Sequence, residues 1–435
     1  MDITHVSNSF LIVETATTKL VCDPWVGQAN HGGWRSYPEF DRRDLIDRVR
    51  GADLVYISHI HSDHFDPDFL ADSGLLEAPF LIKTYANDTL RRRLRALGAR
   101  TVIEAEPFTP LEVRDLRLVV VPQFQTSNAG VETDLDYDLD TSLIVAADGQ
   151  VFFNQVDNPM AAAHFEAIKA FCDREFGPID VAALVCGAAG EYPQCFLNID
   201  RKAEQARIID AALAKLEASL RILRPKRVFL AGGSYFIPGR LTELSRLIAQ
   251  PTPDQAAERC AFVPFVALEG GRRLNVGTGE VAPDLTPTLS ELGQVQAAHA
   301  AEPYPYEADP VPEDDQLDAA FARAKAALEA MLAARRVRLN VDYEFRLYDE
   351  LTEQRARAGA HRKQLDLSVR TDAETVQPTK LRLHLDARAF ALCLSRRQSW
   401  NQTISGSLVL QEREPNIHQP DALFALNYLV ADTPS

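Results

Sequence analysis

The sequence predicts an α/β protein in which stacked sheets are covered by helices, followed by a smaller α+β extension. Through about residue 250, short aliphatic or β-branched runs bounded by Gly, Pro, Asp or Asn alternate with helical stretches. The segment 303–315, PYPYEADPVPEDD, is rich in proline and acid and is typical of a linker. Alternating strand patterns return in 337–435. These three observations favour a layered first domain with an appended second unit.

The strands of the first domain are expected to be short apolar runs. They are Phe10–Glu14, Leu20–Cys22, Leu54–Ser58, Phe80–Lys83, Leu116–Val121, Leu143–Ala146, Val151–Gln155, Val181–Cys186 and Arg227–Leu230. Helices are expected near 41–50, 88–97, 161–175, 201–223 and 239–249. The helix over 201–223 has the clearest apolar spacing, at intervals of three and four residues.

The length of 435 residues exceeds what one compact core usually holds. We therefore predict three segments, which are a first domain (1–250), a strand pair with the acidic linker (251–315) and the α+β extension (316–435).

The strand pair is expected at Ala261–Leu268 and Arg273–Val276, joined by Gly270-Gly271. The extension is expected to begin with a helix over 316–336 and to contain a second helix near 387–396.

Charge and composition narrow the classes of function. The net charge of −16 would repel nucleic acids and anionic membranes, so neither is an expected partner. No apolar run reaches the length of about 18 residues that a membrane span needs, and the start lacks the features of a signal peptide. Six scattered cysteines without a CxxC pair indicate reduced thiols rather than a four-thiolate site. We expect a cytoplasmic protein.

The most informative segment is a buried strand that ends in a cluster of metal-ligand side chains, Ser58-His59-Ile60-His61-Ser62-Asp63-His64. His59 and His61 alternate along an extended strand end, so both imidazoles can face one ion. Asp63 and His64 follow in the turn and can face a second ion. Zinc, iron and manganese all accept imidazole with carboxylate. A surface histidine cluster is the alternative, but the apolar strand leading into the motif disfavours it.

Asp157 is the best candidate for a more distant ligand. It follows the strand in QVFFNQVDNP, and a carboxylate at a strand end can bridge two ions. The alternative is that Asp157 caps the helix that begins after Pro159. We favour the ligand assignment because other residues can cap that helix.

The HxHxDH motif after a buried strand, followed by a strand ending in Asp, resembles the metallo-β-lactamase fold. The resemblance implies an αββα sandwich that holds up to two metal ions. Further segments are similar to the lactamase-like part of the CMP-N-acetylneuraminate hydroxylases. They are VCDPW (21–25), Gly32-Gly33-Trp34, YISHIHSDHFDPDFL (56–70), DTSLIVAADGQVFFNQVDNP (140–159), CGAAGEYPQCF (186–196), RPKRVFLAGGSYF (224–236) and SWNQTISGSLVLQEREPNIHQPDALFALNYL (399–429).

The chain departs from those hydroxylases in one cofactor motif. They carry a Rieske iron–sulfur domain, whereas this sequence has no paired Cys-x-His motif. We therefore expect no Rieske cluster in this chain. Oxygen chemistry would then take place at the lactamase-type site, and an electron-donor protein becomes a candidate partner beside a small-molecule substrate.

The ligand set departs from the fold's usual pattern in two places. No histidine lies between His64 and His164, and in GVETDLDYDLDTS the spacing favours Asp136 as the replacement for the third histidine. Its competitors are Glu132, Asp134 and Asp138. A carboxylate here resembles the dinuclear-iron hydroxylases of this fold, although a solvated acidic loop is an equal alternative.

The fold's final histidine is also missing, because the corresponding turn is Ala231-Gly232-Gly233-Ser234-Tyr235. By their position at strand ends, Glu191, Tyr192 and Tyr235 are the candidate substrate contacts.

Three functions fit these residues. Two iron ions, favoured by the carboxylates, would support hydroxylation or oxidation of a small molecule. Zinc or manganese would support hydrolysis of an ester, lactone, amide or phosphoester, with Asp63 orienting a hydroxide. A degenerate site would leave a binding scaffold for a redox partner. The sequence favours the oxygenase, with the hydrolase close behind.

Overall fold

The computed structural model describes residues 1–124, 140–187, 189–370 and 378–431. The strands in the described residues are β1 (Asp2–Ser7), β2 (Phe10–Glu14), β3 (Lys19–Cys22), β4 (Gln28–Ala29), β5 (Trp34–Ser36), β6 (Leu54–Tyr56), β7 (Phe80–Lys83), β8 (Val102–Ala105), β9 (Leu111–Val113), β10 (Leu116–Val121), β11 (Ser142–Ala147), β12 (Gln150–Asn154), β13 (Val181–Leu184), β14 (Arg227–Leu230), β15 (Tyr235–Phe236), β16 (Arg272–Asn275), β17 (Val281–Pro283), β18 (Asn340–Tyr348), β19 (Lys363–Arg370), β20 (Thr379–Asp386) and β21 (Leu410–Glu414).

The α-helices in the same part of the chain are α1 (Arg42–Val49), α2 (Pro67–Asp72), α3 (Thr89–Leu97), α4 (Ala162–Glu175), α5 (Arg201–Leu223), α6 (Pro253–Arg259), α7 (Leu292–His299), α8 (Asp314–Arg335), α9 (Glu353–Arg357), α10 (Ala387–Leu394), α11 (Trp400–Ser405) and α12 (Pro420–Phe424). Among these, none has the length and apolar character that crossing a bilayer requires.

Two sheets form the centre of the first domain. One has the strand order β17-β16-β1-β2-β3-β6-β7-β8 and the other has the order β14-β13-β12-β11-β10-β9. Alternate residues of β2 show how the first sheet is buried on both faces. Leu11 and Val13 join the core between the sheets, whereas Phe10 and Ile12 face the helices outside. Strands buried on both faces have near-continuous apolar sequences, as these do.

Helices cover the outer face of each sheet. Side chains of α1, α2 and α3, such as Leu45, Phe69 and Leu94, pack on the first sheet. Side chains of α4 and α5, such as Phe165 and Leu216, pack on the second. The layers therefore run helix, sheet, sheet, helix, which confirms the predicted αββα sandwich.

The predicted strand pair around Gly270-Gly271 is wrong. In place of a strand over 261–268, only Phe265 makes an isolated bridge, to Val228. β16 instead pairs with β1 and with β17, so the first sheet continues past residue 250. Both glycines have positive φ, and Gly271 donates to the His5 carbonyl at 2.8 Å. The turn thus directs β16 onto the open edge of β1, where its backbone groups find partners.

Two further predictions are corrected. The helix expected over 239–249 is a 3-10 helix, Gly239–Leu247. The segment 303–315 is not a free linker, because Tyr304 and Tyr306 are each only 2% exposed. Their rings join Ala389 and Leu392 of α10 in one apolar cluster. The prolines and acids suggested a solvated tether, but the two aromatic rings anchor it to the extension.

The extension is built on one mixed sheet with the order β19-β18-β20-β21. β18 and β20 pair in parallel, and the other two pairings are antiparallel. One face packs against α8, α10 and α11 through residues such as Leu328, Phe390 and Trp400. The α+β extension expected after residue 316 is therefore present as a unit with its own core.

The extension docks on the first domain where α11 ends. A Cβ atom added at Gly33, next to β5, would overlap the carbonyl oxygen of Gly406. His31 accepts a hydrogen bond from the Ser399 backbone N–H at 3.0 Å, just before α11. The two backbones therefore touch directly, and only glycine at residue 33 permits that approach.

Replacing Gly33 by Ala is expected to lower the free energy of unfolding by about 1–3 kcal/mol, the usual cost of overpacking. Thermal unfolding followed by circular dichroism measures the change. Gly293→Ala is the matched control, because nothing lies within 4 Å of the added Cβ atom at that helical position. An equal stability of the Gly33→Ala variant and the wild type would refute this contact.

Candidate metal centre

The HxHxDH segment leaves the sheet at the carboxyl end of β6, beside the carboxyl end of β3. These two strands pair in parallel, so the residues that follow them emerge at one edge. Asp23 follows β3 and is completely buried. Its carboxylate accepts hydrogen bonds from the Ser58 backbone N–H and from the Ser58 hydroxyl, both at 2.7 Å. Asp23 therefore fixes the start of the metal motif.

The first cluster consists of His59, His61 and Asp140. The Nε2 atom of His59 lies 3.0 Å from Nδ1 of His61 and 3.5 Å from Oδ1 of Asp140. Asp140 stands two residues before β11 and is held near the motif by its neighbour Thr141, which donates to the Ser58 carbonyl at 2.7 Å. One ligand atom from each residue of the cluster lies within 4.8 Å of the others.

The second cluster is centred on His64. Its Nε2 atom lies 3.1 Å from Oδ2 of Asp157 and 3.4 Å from Oδ2 of Asp63. His59 also joins His64 and Asp157 in a group whose ligand atoms all lie within 4.8 Å of one another. The two clusters therefore adjoin at His59, and together they contain three imidazoles and three carboxylates.

The surroundings of His61 indicate that the first cluster suits a metal ion. Nε2 of His61 is buried and has no hydrogen-bond partner among the described residues. An unpaired buried nitrogen costs free energy unless a ligand satisfies it. With His59 and Asp140 beside it, His61 presents the mixture of imidazole and carboxylate that zinc, iron and manganese accept.

Electrostatics in the first cluster favour metal uptake near neutral pH. Burial, together with the neighbouring His64 and His61, lowers the pKa of His59 well below its ordinary value. Its imidazole is thus neutral, as a metal ligand must be. Burial raises the pKa of Asp140 to about 6, against the lowering influence of His61. Metal binding at lower pH must displace a proton from Asp140.

The second cluster holds a proton when no ion is present. Burial acts to lower the pKa of His64, but Asp63 and Asp157 outweigh it and raise that pKa well above its ordinary value. The charge of His64 likewise outweighs the effect of burial on Asp63 and lowers the pKa of that carboxyl. A cation that replaces this proton would meet the same two carboxylates.

Asp23 also orients the second cluster. Its Oδ2 atom lies 3.1 Å from Nδ1 of His64, which turns Nε2 of that ring toward Asp157. Carboxylates that hold a ligating histidine in this way tune its tautomer and basicity.

We expect Asp23→Asn to weaken metal affinity by roughly 10–100-fold, the usual effect of losing such a partner. Competition with a chelator of known affinity measures this change. Asp180→Asn is the matched control, since Asp180 is also buried but accepts from the Val151 N–H, outside the metal motif. Unchanged metal affinity in Asp23→Asn, with the fold intact, would contradict the role given to Asp23.

The predicted ligands are placed as follows. His59, His61, Asp63, His64 and Asp157 lie together, as the motif predicts. Asp136 and its competitors Glu132, Asp134 and Asp138 lie outside the described residues.

Among the described residues, the carboxylate that meets His59 and His61 is Asp140, which the sequence analysis missed. Its position two residues before β11, as the last carboxylate of the acidic run, is the signal that could have identified it.

The turn at Gly232-Gly233 supplies no imidazole to the second cluster. A Cβ atom at Gly232 would lie 3.7 Å from Oδ1 of Asp157, so the turn passes directly beside that carboxylate. Asn8 holds the turn by accepting the Gly233 N–H at 2.8 Å. The Cβ atom added at Gly232 would also lie 3.2 Å from Cγ2 of Val185, so the turn packs closely on Val185 as well.

The candidate substrate contacts have different surroundings. Tyr235 is buried and stacks on Trp34 with the ring centroids 4.0 Å apart. Burial raises its pKa, and the charges of Asp63 and Asp157 add to the rise, so its phenol lies near the second cluster.

The other two candidate contacts, Glu191 and Tyr192, lie beside residues of the extension. Tyr192 donates to Glu204 at 2.8 Å and accepts from Asn416 at 3.1 Å. Burial raises the pKa of Glu191 against the opposing charge of Arg413. These surroundings identify structural partners for Tyr192, whereas the role of Glu191 and Tyr235 toward a substrate remains a proposal.

The sequence matches curated proteins over part of its length, and no family model matches it. A protein of Mycolicibacterium smegmatis named for a Rieske 2Fe-2S cluster is 26% identical over 210 residues, which are 47% of this chain and 38% of that protein. The CMP-N-acetylneuraminic acid hydroxylase of Danio rerio is 31% identical over 160 residues, 36% of this chain and 25% of that protein. The chain thus spans less than two fifths of the length of these relatives.

Solved structures give looser likenesses. The metallo hydrolase Igni18 of Ignicoccus hospitalis has a TM-score of 0.43 and 17% identity, covering 65% of this chain and 97% of that chain. The diiron β-hydroxylase CmlA of Streptomyces venezuelae has a TM-score of 0.41 and 15% identity, covering 65% and 54%. The four αββα layers and the HxHxDH motif at the end of β6 give the chain the metallo-β-lactamase fold, and its sequence resembles in part the CMP-N-acetylneuraminic acid hydroxylases.

Proposed function

We propose that the protein is a dinuclear non-haem iron oxygenase that hydroxylates or oxidises a small molecule. One observation carries this proposal. A carboxylate, Asp140, lies with His59 and His61 in a group whose ligand atoms are all within 4.8 Å of one another. Carboxylate-rich ligation is harder and more anionic than a three-histidine site, and it suits iron better than zinc.

In this proposal the chain's residues divide into two groups of three. His59, His61 and Asp140 would hold one ion, and Asp63, His64 and Asp157 would hold the second. A pair of ferrous ions supplies the electrons that reduce O₂ when bound. The protein supplies orientation through Asp23, and the turn at Gly232 passes beside Asp157. Tyr235 is the phenol near Asp63 and Asp157 and is a candidate to contact the substrate.

The sequence relatives support the same chemistry without fixing the substrate. The similar proteins are named as hydroxylases and as Rieske iron–sulfur proteins, and both names denote redox chemistry. We include an electron-donor protein in the proposal, because iron oxidised in one turnover must be reduced before the next. We also propose that this chemistry takes place in the cytoplasm, where six buried free thiols are expected to stay reduced.

A metallo-hydrolase is the second candidate. It is favoured by Asp63, whose Oδ2 atom lies 3.4 Å from Nε2 of His64 and so belongs to the second cluster. With zinc or manganese, Asp63 would orient a hydroxide for attack on an ester, lactone, amide or phosphoester. A degenerate scaffold is the weakest candidate, because His59 lies within 4.8 Å of two further ligand atoms in each of two groups, with His61 and Asp140 and with His64 and Asp157.

Reconstitution with single metals separates these functions. The metal-free chain is loaded with ferrous iron, zinc or manganese, and each form is assayed for O₂ consumption with a reductant and for hydrolysis of ester, lactone and phosphoester substrates. We expect O₂ consumption in the iron form alone. Hydrolysis by the zinc form, with no O₂ consumption by the iron form, would replace the oxygenase with the hydrolase. Inactivity of all forms, with metal bound, would favour the scaffold.

A further inference from the structure

A cavity of about 130 Å³ opens beside the first metal cluster, between the first domain and the extension. His61 lines it from the metal motif, Asn87 and Arg93 line it from the region of α3, and Asn401 and Gln402 line it from α11. None of the described lining residues is an aspartate or a glutamate. Because the chain carries a net charge of −16, a cavity whose described lining has no carboxylate is distinctive, and it repels a bound anion less than an acidic surface would.

Arg93 is the cation of this cavity, and it differs from the other arginines of its helix. Arg91 pairs with Glu104 at 3.0 Å, and Arg92 pairs with Asp88 at 2.8 Å. Arg95 donates to the Ala99 carbonyl at 3.1 Å. Arg93 makes no hydrogen bond or ion pair with any described residue, and its side chain is exposed. Its guanidinium is therefore available to a ligand.

The extension contributes amide groups opposite Arg93. Asn401 and Gln402 lie in the first turn of α11, and Ser399 caps this helix by accepting the Gln402 N–H. The Gly33–Gly406 contact and the hydrogen bond between His31 and Ser399 hold α11 against the first domain. The amides are thus carried on a fixed helix, which suits them to orient a bound group.

We propose that this cavity binds an oxyanion of the substrate, a carboxylate or a phosphate, through Arg93 with Asn401 and Gln402. Guanidinium and amide N–H groups together are the donors that recognise such oxyanions. His61 lines the same cavity, so an anion held there would place the rest of the molecule beside the first cluster. This inference rests on the proposed small-molecule enzyme, and it gives the extension a part in substrate binding.

Calorimetric titration of the full chain with inorganic phosphate, and separately with acetate, tests the site. Each titration is performed on the metal-bound protein and again after chelation, so that binding to the metal is distinguished from binding in the cavity. We expect at least about tenfold weaker binding in Arg93→Gln, the loss that removal of a charge-assisted hydrogen bond predicts. Arg93→Lys keeps the charge and should lose less.

Arg92→Gln is the control, because Arg92 is exposed on the same helix but already paired with Asp88. Its affinity should stay within about twofold of the wild type, as expected for an exposed ion pair. The stronger of the two ligands identifies the oxyanion as phosphate or carboxylate. Equal affinities of Arg93→Gln and the wild type, or binding that vanishes on chelation, would overturn the site. O₂ consumption is not a readout here, so failure of the oxygenase proposal would leave this result unaffected.

Discussion

Replacing His61 by Ala is expected to remove one of two metal ions per chain and to lower the oxygenase rate by more than about 100-fold. Nε2 of His61 is a buried nitrogen that finds no hydrogen-bond partner in the described part of the chain, and His59 with Asp140 alone would leave an incomplete set of ligands. Since losing even a supporting partner of a ligand costs roughly 10–100-fold, losing the ligand itself should cost more. Metal content by mass spectrometry and O₂ consumption measure the two effects.

The control for this experiment is His361→Ala in the extension, where the ring packs edge-on against Tyr348. It removes the same side chain without touching either cluster, so both metal ions and the rate should be retained. A His61→Ala variant that keeps its metal and its activity would contradict the assignment of the first cluster, and with it both the oxygenase and the hydrolase.

The second large effect is expected from Asp140→His. This change restores the three-imidazole set that zinc favours, so protein loaded from an equal mixture of iron and zinc should shift toward zinc by at least about tenfold. Its O₂ consumption should fall by a similar factor, because the iron form becomes the minor one. Metal analysis after loading, together with O₂ consumption, tests both statements.

Asp140→Asn separates the charge from the shape of the side chain. The amide is nearly isosteric but neutral, so this variant should lose iron without gaining zinc. If Asp140→His and Asp140→Asn both retain the wild-type ratio of iron to zinc, Asp140 does not select the metal. The third ligand would then have to lie elsewhere in the chain.

Local pattern predicted much of the fold and the core of the site. The strands Phe10–Glu14, Phe80–Lys83 and Arg227–Leu230 have the bounds expected from their apolar runs. The motif from His59 to His64 could be recognised because its four candidate ligands lie within six positions and follow a buried strand. In these cases the determining interactions lie within a few residues of each other.

The remainder depends on contacts between distant residues. β16 pairs with β1, which lies at the other end of the first domain in sequence. No local pattern in 261–276 distinguishes that pairing from a hairpin. Asp140 could not be separated from its acidic neighbours by counting from Asp157. The start of β11 at Ser142 and the hydrogen bond from Thr141 to Ser58 set its place. The contact of Gly33 with Gly406 joins residues that are equally remote.

The central claim is that the two clusters form a dinuclear iron site, and metal analysis of protein purified without oxygen tests it most directly. We predict about two irons per chain, with little absorption in the reduced protein and ferric absorption that develops when O₂ is added. Zinc as the metal present, with no O₂ consumed in the presence of a reductant, would contradict the claim.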